Sequence, residues 1–182
     1  MLSKCATSVY ISSQTDPNYH LSKADPIFLL LPNGASIADR QFYPVLKLEL
    51  ITNYFNIVED SSKAKYILLF QTDEKTSQIN STISIPSTSI TSGYVGNNYY
   101  SATTTTTQSV PYNYNYTVKK IYLTLYAMSD IKNKKYFSLW EGYVGAGAKD
   151  YASYSRAVIK KLLDYYGTNY KAHTRIDRNY GK

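Results

Sequence analysis

Between Lys75 and Lys119 the chain carries no Lys, Arg, Asp, Glu, His or Cys. Ser, Thr, Asn and Tyr fill the interval, most densely in Thr103-Thr104-Thr105-Thr106-Thr107 and Tyr112-Asn113-Tyr114-Asn115-Tyr116. β-Branched and aromatic residues favour extended backbone over helix, so residues 79–116 are expected to form an extended Ser/Thr/Tyr-rich β-ribbon. Its arms read as Ile79–Ser92 and Ser101–Ser109, joined by Gly93-Tyr94-Val95-Gly96-Asn97-Asn98. Ile83 and Ile85 alternate with Ser and Thr, which lets one face pack while the other stays wet. Pro86 and Pro111 mark the arms as edge or irregular strands. Tyr112, Tyr114 and Tyr116 recur at period two and share a face, either as a core wall under a sheet or as an exposed stripe for a partner. With Tyr94, Tyr99 and Tyr100 they form the candidate partner-contact set. A segment without strong acid, base or metal ligand suits contact or assembly better than catalysis.

On either side of this insertion the patterns are those of an ordinary folded domain. Residues 6–15 read as a strand, and Ile27–Leu31, bracketed by Pro26 and Pro32, as a second, buried one. Ser36 followed by Asp39 is a capping-box signature. Phe42, Val45, Leu46, Leu50 and Tyr54 continue at helical spacing to about Phe55, although Pro44 should kink the helix or mark its true first turn. Residues 64–72 read as a strand buried on both faces. Val118–Met128, with Ile121, Leu123 and Leu125 alternating with polar positions, is the clearest strand; Asp130–Lys134 reads as a hairpin turn and Tyr136–Val144 as the return. After Gly145-Ala146-Gly147, Asp150 or a neighbour should cap a second helix, with Tyr151, Tyr154, Val158, Leu162 and Tyr165 along one side and Gly167 as its stop. The expected fold is α+β: a mostly antiparallel sheet, two helices packed on one face, and the ribbon. Residues 1–8 are expected to be an anchor or linker, 9–168 a single domain, and 169–182 a loosely held basic tail.

The 182 residues suffice for one domain with its own core. Twenty-one are Tyr, a side chain whose ring packs while its hydroxyl stays wet. The net charge of +7 lies in the second half, where residues 91–182 carry thirteen Lys and Arg against five Asp and Glu. Such a half could rest on an anionic envelope surface or simply be a solvated basic face. Nucleic acid is not an expected partner, since the uncharged ribbon cannot track a phosphate chain. His20 and His173 lie far apart, in a polar turn and in the tail, and no Gly-x-Ser-x-Gly elbow occurs. One Cys, two remote His and the adjacent acids Glu59-Asp60 and Asp73-Glu74 supply no ligand spacing. No catalytic residue, cofactor or metal is expected. Gly142-Tyr143-Val144-Gly145-Ala146-Gly147 lacks the order and the Lys-Ser/Thr of a phosphate loop and reads as a strand-to-helix turn.

No apolar run is long enough to span a bilayer as a helix. Leu2-Ser3-Lys4-Cys5 resembles the end of a bacterial lipoprotein signal, with Cys5 the residue to be lipidated. The rest of such a signal is missing, so Met1 is expected to be a trimmed start. Several features follow in a fixed order: Cys5, the strand at Val9-Tyr10-Ile11, the strand entry at Asp25–Leu31, and a helix ending at Asn56-Ile57-Val58. Then come Ala64–Phe70, the Gly/Ser/Thr/Tyr-rich insertion, Ile121–Tyr126, Leu139-Trp140-Glu141-Gly142 and a closing helix. In this order the chain resembles the bacterial envelope lipoproteins grouped as domain of unknown function 4136, departing from them at Lys63 and Lys65. The resemblance implies a domain anchored on the periplasmic side of a Gram-negative outer membrane and brings no known activity. The leading expectation is a non-enzymatic lipoprotein, held to the membrane through Cys5, that contacts an envelope protein or itself through the ribbon. The alternative is a glycan or small-ligand binder that uses Trp140 and tyrosines as a stacking platform; an envelope hydrolase comes third.

Overall fold

A computed structural model describes residues 7–176 and Tyr180, the side chains of residues 150 and 152–154 excepted. Cys5 and the side chain of Tyr154 therefore lie outside the described residues. The fold is α+β and mostly sheet. The elements run β1 (Thr7–Thr15), β2 (Ile27–Leu30), α1 (Ile37–Thr52), a 3₁₀ turn (Ser61–Lys63), β3 (Tyr66–Val95) and β4 (Asn98–Ala127). They continue with α2 (Met128–Lys132), β5 (Ser138–Gly147), α3 (Ala148–Leu163) and β6 (Tyr170–Ile176). One six-stranded sheet has the order β2-β3-β4-β5-β1-β6. β5 pairs antiparallel with both β4 and β1, and β6 lies antiparallel on the outer edge of β1. β2 and β3 pair in parallel, linked by α1 as crossover.

The chain divides into two compact units, residues 1–75 with 117–182 and residues 76–116. The first unit holds the core. Val9 and Ile11 of β1, Tyr66, Leu68 and Phe70 of β3, and Ile121, Leu123 and Leu125 of β4 are all buried at alternate positions. They share one cluster with Phe42, Leu46 and Leu50 of α1 and with Val158, Ile159 and Leu162 of α3, and the two helices touch. The second unit is the pair of arms from β3 and β4, turned through Gly96 and Asn97 with Gly96 at φ +64°.

α1 begins where the capping box places it. The Ser36 hydroxyl accepts from the Asp39 amide at 3.0 Å, and Asp39 Oδ2 accepts from the Ser36 amide at 3.1 Å. Pro44 sits in the helix interior, and the helix stops at Thr52, short of Phe55. Asn53 caps it and Tyr54 takes a left-handed φ of +65°, which turns Phe55 back into the core. Four other expectations change. The strands placed at 64–72 and 79–92 are one continuous strand, because nothing between Thr72 and Ile79 breaks extended backbone. The hairpin turn at 130–134 is instead the short helix α2, closed by Lys134 at φ +58°. The N-cap of α3 is Gly147, with no side-chain cap bond. The tail is not loose along Tyr170–Ile176: these residues are β6 and cover the edge of β1 from Thr7 to Ser13.

Candidate contact surface

β2 runs beside β3 only along Tyr66–Leu69, and β5 runs beside β4 only along Val118–Tyr126. Among the described residues the ribbon therefore has no strand along either outer edge. Its side chains are exposed almost throughout, including Ile79, Ile83, Ile85, Ile90, Tyr94, Tyr99 and Tyr100. Tyr112, Tyr114 and Tyr116 are 46%, 41% and 46% exposed, so they are an open stripe and not a wall of the core. The rings of Tyr112 and Tyr114 stack at 5.6 Å between centroids, and Tyr94 meets Tyr99 edge to face at 5.3 Å near the turn. All six tyrosines of the contact set thus lie in one unit and reach solvent, three near the turn and three near the opposite end.

Trp140, expected as a ligand platform, is only 1% exposed. Its Nε1 donates to Ser13 Oγ at 2.8 Å, and its ring packs edge to face on Tyr166 with centroids 5.0 Å apart. Ser13 in turn shares its proton between the carbonyls of Tyr165 and Thr168, each at 2.7 Å. The indole locks β5 and β1 to the chain after α3, so Trp140 itself has no face left to stack on a ligand. The glycines at 142, 145 and 147 lie within β5 or at its end, not in a loop that could cradle phosphate.

The body also bears an open cavity of about 400 Å³ lined by Phe42, Val45, Glu74, Lys119, Lys120 and Tyr151 among others. Sequence reasoning missed it, because its walls come from α1, β3, β4 and α3 and no local pattern joins them. Lys119 Nζ lies 3.2 Å from Glu74 Oε2 and 5.6 Å from the centroid of the Tyr151 ring. Lys119 and Glu74 thus offset each other, and burial pushes the Tyr151 phenol up, so it stays neutral. Nearby, Asp39 joins the start of α1 to β3. Its Oδ1 accepts from the Thr72 amide at 2.9 Å and from the Thr72 hydroxyl at 2.6 Å. Burial alone would raise its pKa, but the bonds from Thr72 and Ser36 outweigh this and hold it below the ordinary carboxylate value. His20 and His173 are both exposed, and His173 packs against the Tyr10 ring at 5.1 Å. No group of three or more His, Cys, Asp or Glu converges among the described residues. No described helix is long and apolar enough to cross a membrane.

No protein-family model matches the sequence, and no curated protein matches it. In fold it is similar to a PDZ domain protein from Parabacteroides distasonis, at 13% identity over 93% of this chain, with a TM-score of 0.50. The chain spans 39% of that protein's length. A likeness at this identity bears on the fold alone.

Proposed function

We propose that this chain is a non-enzymatic protein of the Gram-negative cell envelope that acts by protein contact, with the ribbon as its assembly element. In this reading the body, a sheet with two helices packed on one face, is the platform, and a lipid on Cys5 holds it to the periplasmic side of the outer membrane. One observation carries the reading: a long two-stranded ribbon with unpaired edges and exposed Ile and Tyr side chains. An isolated hairpin is marginal in water, and soluble proteins blunt such edges with charge, which this ribbon lacks entirely. Its apolar side chains and free edges are accounted for when other strands lie beside them.

The test is the oligomeric mass by light scattering, for the full chain and for a variant in which residues 77–116 are replaced by Asn-Gly. A defined oligomer that the replacement abolishes supports assembly through the ribbon. Equal masses, together with unchanged capture of envelope proteins, would remove the ribbon from the function. For the anchor, palmitate labelling in a Gram-negative host should be lost in Cys5→Ser; labelling that persists excludes Cys5 as the lipid site.

A further inference from the structure

The side chains of the ribbon sort by face. Tyr94 meets Tyr99, and a Cβ on Gly93 would lie 3.0 Å from the Tyr100 ring, so Tyr94 stands opposite Tyr99 and Gly93 opposite Tyr100. Ser89 reaching the Thr104 carbonyl and Thr106 reaching the Ser87 carbonyl keep the same register. Carried along both strands, it sets Ile83 opposite Val110 and Ile79 opposite Tyr114, with Ile85, Tyr112 and Tyr116 on the same face. The other face presents Asn80, Thr82, Ser84, Thr107, Ser109 and Asn113. The first side carries most of the apolar and aromatic side chains, interrupted by Ser77, Ser81 and Gln108, and the other carries mostly hydroxyls and amides, with Ile90, Tyr94 and Tyr99 toward the turn.

We propose that this ribbon is a membrane-spanning β-hairpin, which crosses a lipid bilayer within a closed barrel built from several copies of this chain. The proposal rests on the reading of the ribbon as an assembly element, and it names both the partner, a second copy, and the medium. Length supports it. At about 3.3 Å per residue an arm such as 76–95 is about 65 Å long. Tilted by about 45°, it covers about 45 Å along the membrane normal, close to the full thickness of a bilayer with its headgroups. Charge is absent over this length and returns at once outside it, at Glu74, Lys75, Lys119 and Lys120. Tyrosines cluster near both ends: Tyr112, Tyr114 and Tyr116 at one and Tyr100 at the other stand on the apolar face, as the aromatic girdles of membrane barrels do, while Tyr94 and Tyr99 stand on the opposite face beside the turn.

Between the girdles Ile83, Ile85 and Val110 face the acyl chains, with Gln108 opposite Ile85. Toward the turn this face continues as Ser87, Ser89, Thr104 and Thr106, where Ser89 and Thr106 aim their hydroxyls at carbonyls across the ribbon at 3.4–3.5 Å. The hydroxyl and amide face lines a wet lumen over most of its length, with Ile90, Tyr94 and Tyr99 at its turn end. Hydrocarbon offers no hydrogen bonds to the open edges, so the hairpin must be flanked by others until the sheet closes. Closed barrels need about eight strands or more, hence about four copies or more.

The test uses the full chain and vesicles of phosphatidylethanolamine and phosphatidylglycerol loaded with a self-quenched dye. Dye release is expected, with stepwise conductance in planar bilayers. Charging the lipid face in Ile83→Asp with Val110→Asp should cut release at least tenfold. Ser84→Lys on the lumen face should preserve release and shift ion selectivity toward anions. Single cysteines at positions 82, 83, 84 and 85 in a Cys5→Ser background, carrying an environment-sensitive dye, should blue-shift at 83 and 85 only when vesicles are added. Emission from the buried Trp140 reports that each variant keeps a folded body. No release and no alternating shift would overturn the proposal. If ribbon-dependent oligomers still formed in water, the assembly reading would stand without the membrane; absence of oligomers in both media would remove the two together.

Discussion

A methyl group at Gly142 would lie 2.5 Å from Cη2 and 2.6 Å from Cζ2 of Trp140, with Leu162 Cδ1 at 3.3 Å behind them. The Trp-x-Gly spacing is therefore a packing device: two residues on, the same face of β5 must be bare for the indole to lie flat against it. Gly142→Ala is expected to cost about 1–3 kcal/mol through overpacking, seen as a lower urea midpoint and a red-shifted Trp140 emission. An unchanged midpoint would show that the indole has another place to go. Asp39 makes a prediction that depends on pH. Its carboxyl is held below the ordinary value of 3.8 in the folded state. The stabilisation is thus complete above that value and is lost as pH falls through the lower, folded-state one. At pH 7 Asp39→Asn should lose about 1–2 kcal/mol, the cost of weakening a cap and two bonds from Thr72. The gap to the native chain should narrow at an acid pH below that folded-state value, where the native carboxyl is protonated as well. Urea unfolding at both pH values decides; a gap of equal size at both would mean that Asp39 acts through shape and not through its charge.

At the scale of elements, what could be read from the sequence is what local chemistry decides. The start of α1 was legible because a capping box closes on itself within four residues, and Val118–Ala127 because its apolar alternation is strict. β6 was illegible: Tyr170, Ala172 and Thr174 alternate with Lys171, His173 and Arg175, and only the open edge of β1 makes a strand of so polar a segment. The place of Trp140 was illegible for a related reason. A tryptophan on a strand looks the same whether its face meets a ligand or a helix, and Ser13, which fixes it, lies far away in sequence. The ribbon could be read as extended, but the register that sorts its faces needs both strands side by side. Pro44 was visible and its consequence is testable. It lies exposed inside α1, where it leaves the Arg40 carbonyl without its usual amide. Pro44→Ala should restore that bond and stabilise the fold by about 1–3 kcal/mol, read as a higher melting temperature. A lower one would show that the bend at Pro44 is needed to seat Phe42 and Leu46 together.

For the whole molecule, the question is whether the two units need each other to fold. No residue of 76–116 belongs to the core cluster, which draws on β1 to β5, α1, α3 and β6 of the body alone. Removing the ribbon takes away no buried side chain of that cluster and opens no cavity in it, so the usual large costs of core mutation do not arise. What remains must close β3 onto β4 with a short turn. Asn-Gly between Thr76 and Thr117 supplies the positive φ angles that such a turn needs. The variant lacking 77–116 is therefore expected to unfold cooperatively, with a melting temperature within about 4 °C of the native chain's, the shift that about 1 kcal/mol makes at this size. Trp140 emission should be unchanged, and strand signal in far-ultraviolet circular dichroism should drop. The converse does not hold for the ribbon, which buries almost nothing in a single chain and must draw its stability from what it is placed against. A variant without the ribbon that melts broadly or much lower would place part of the body's stability in the β3–β4 continuation. Retained folding would leave the ribbon free to serve contact alone, since nothing in the core then requires those residues.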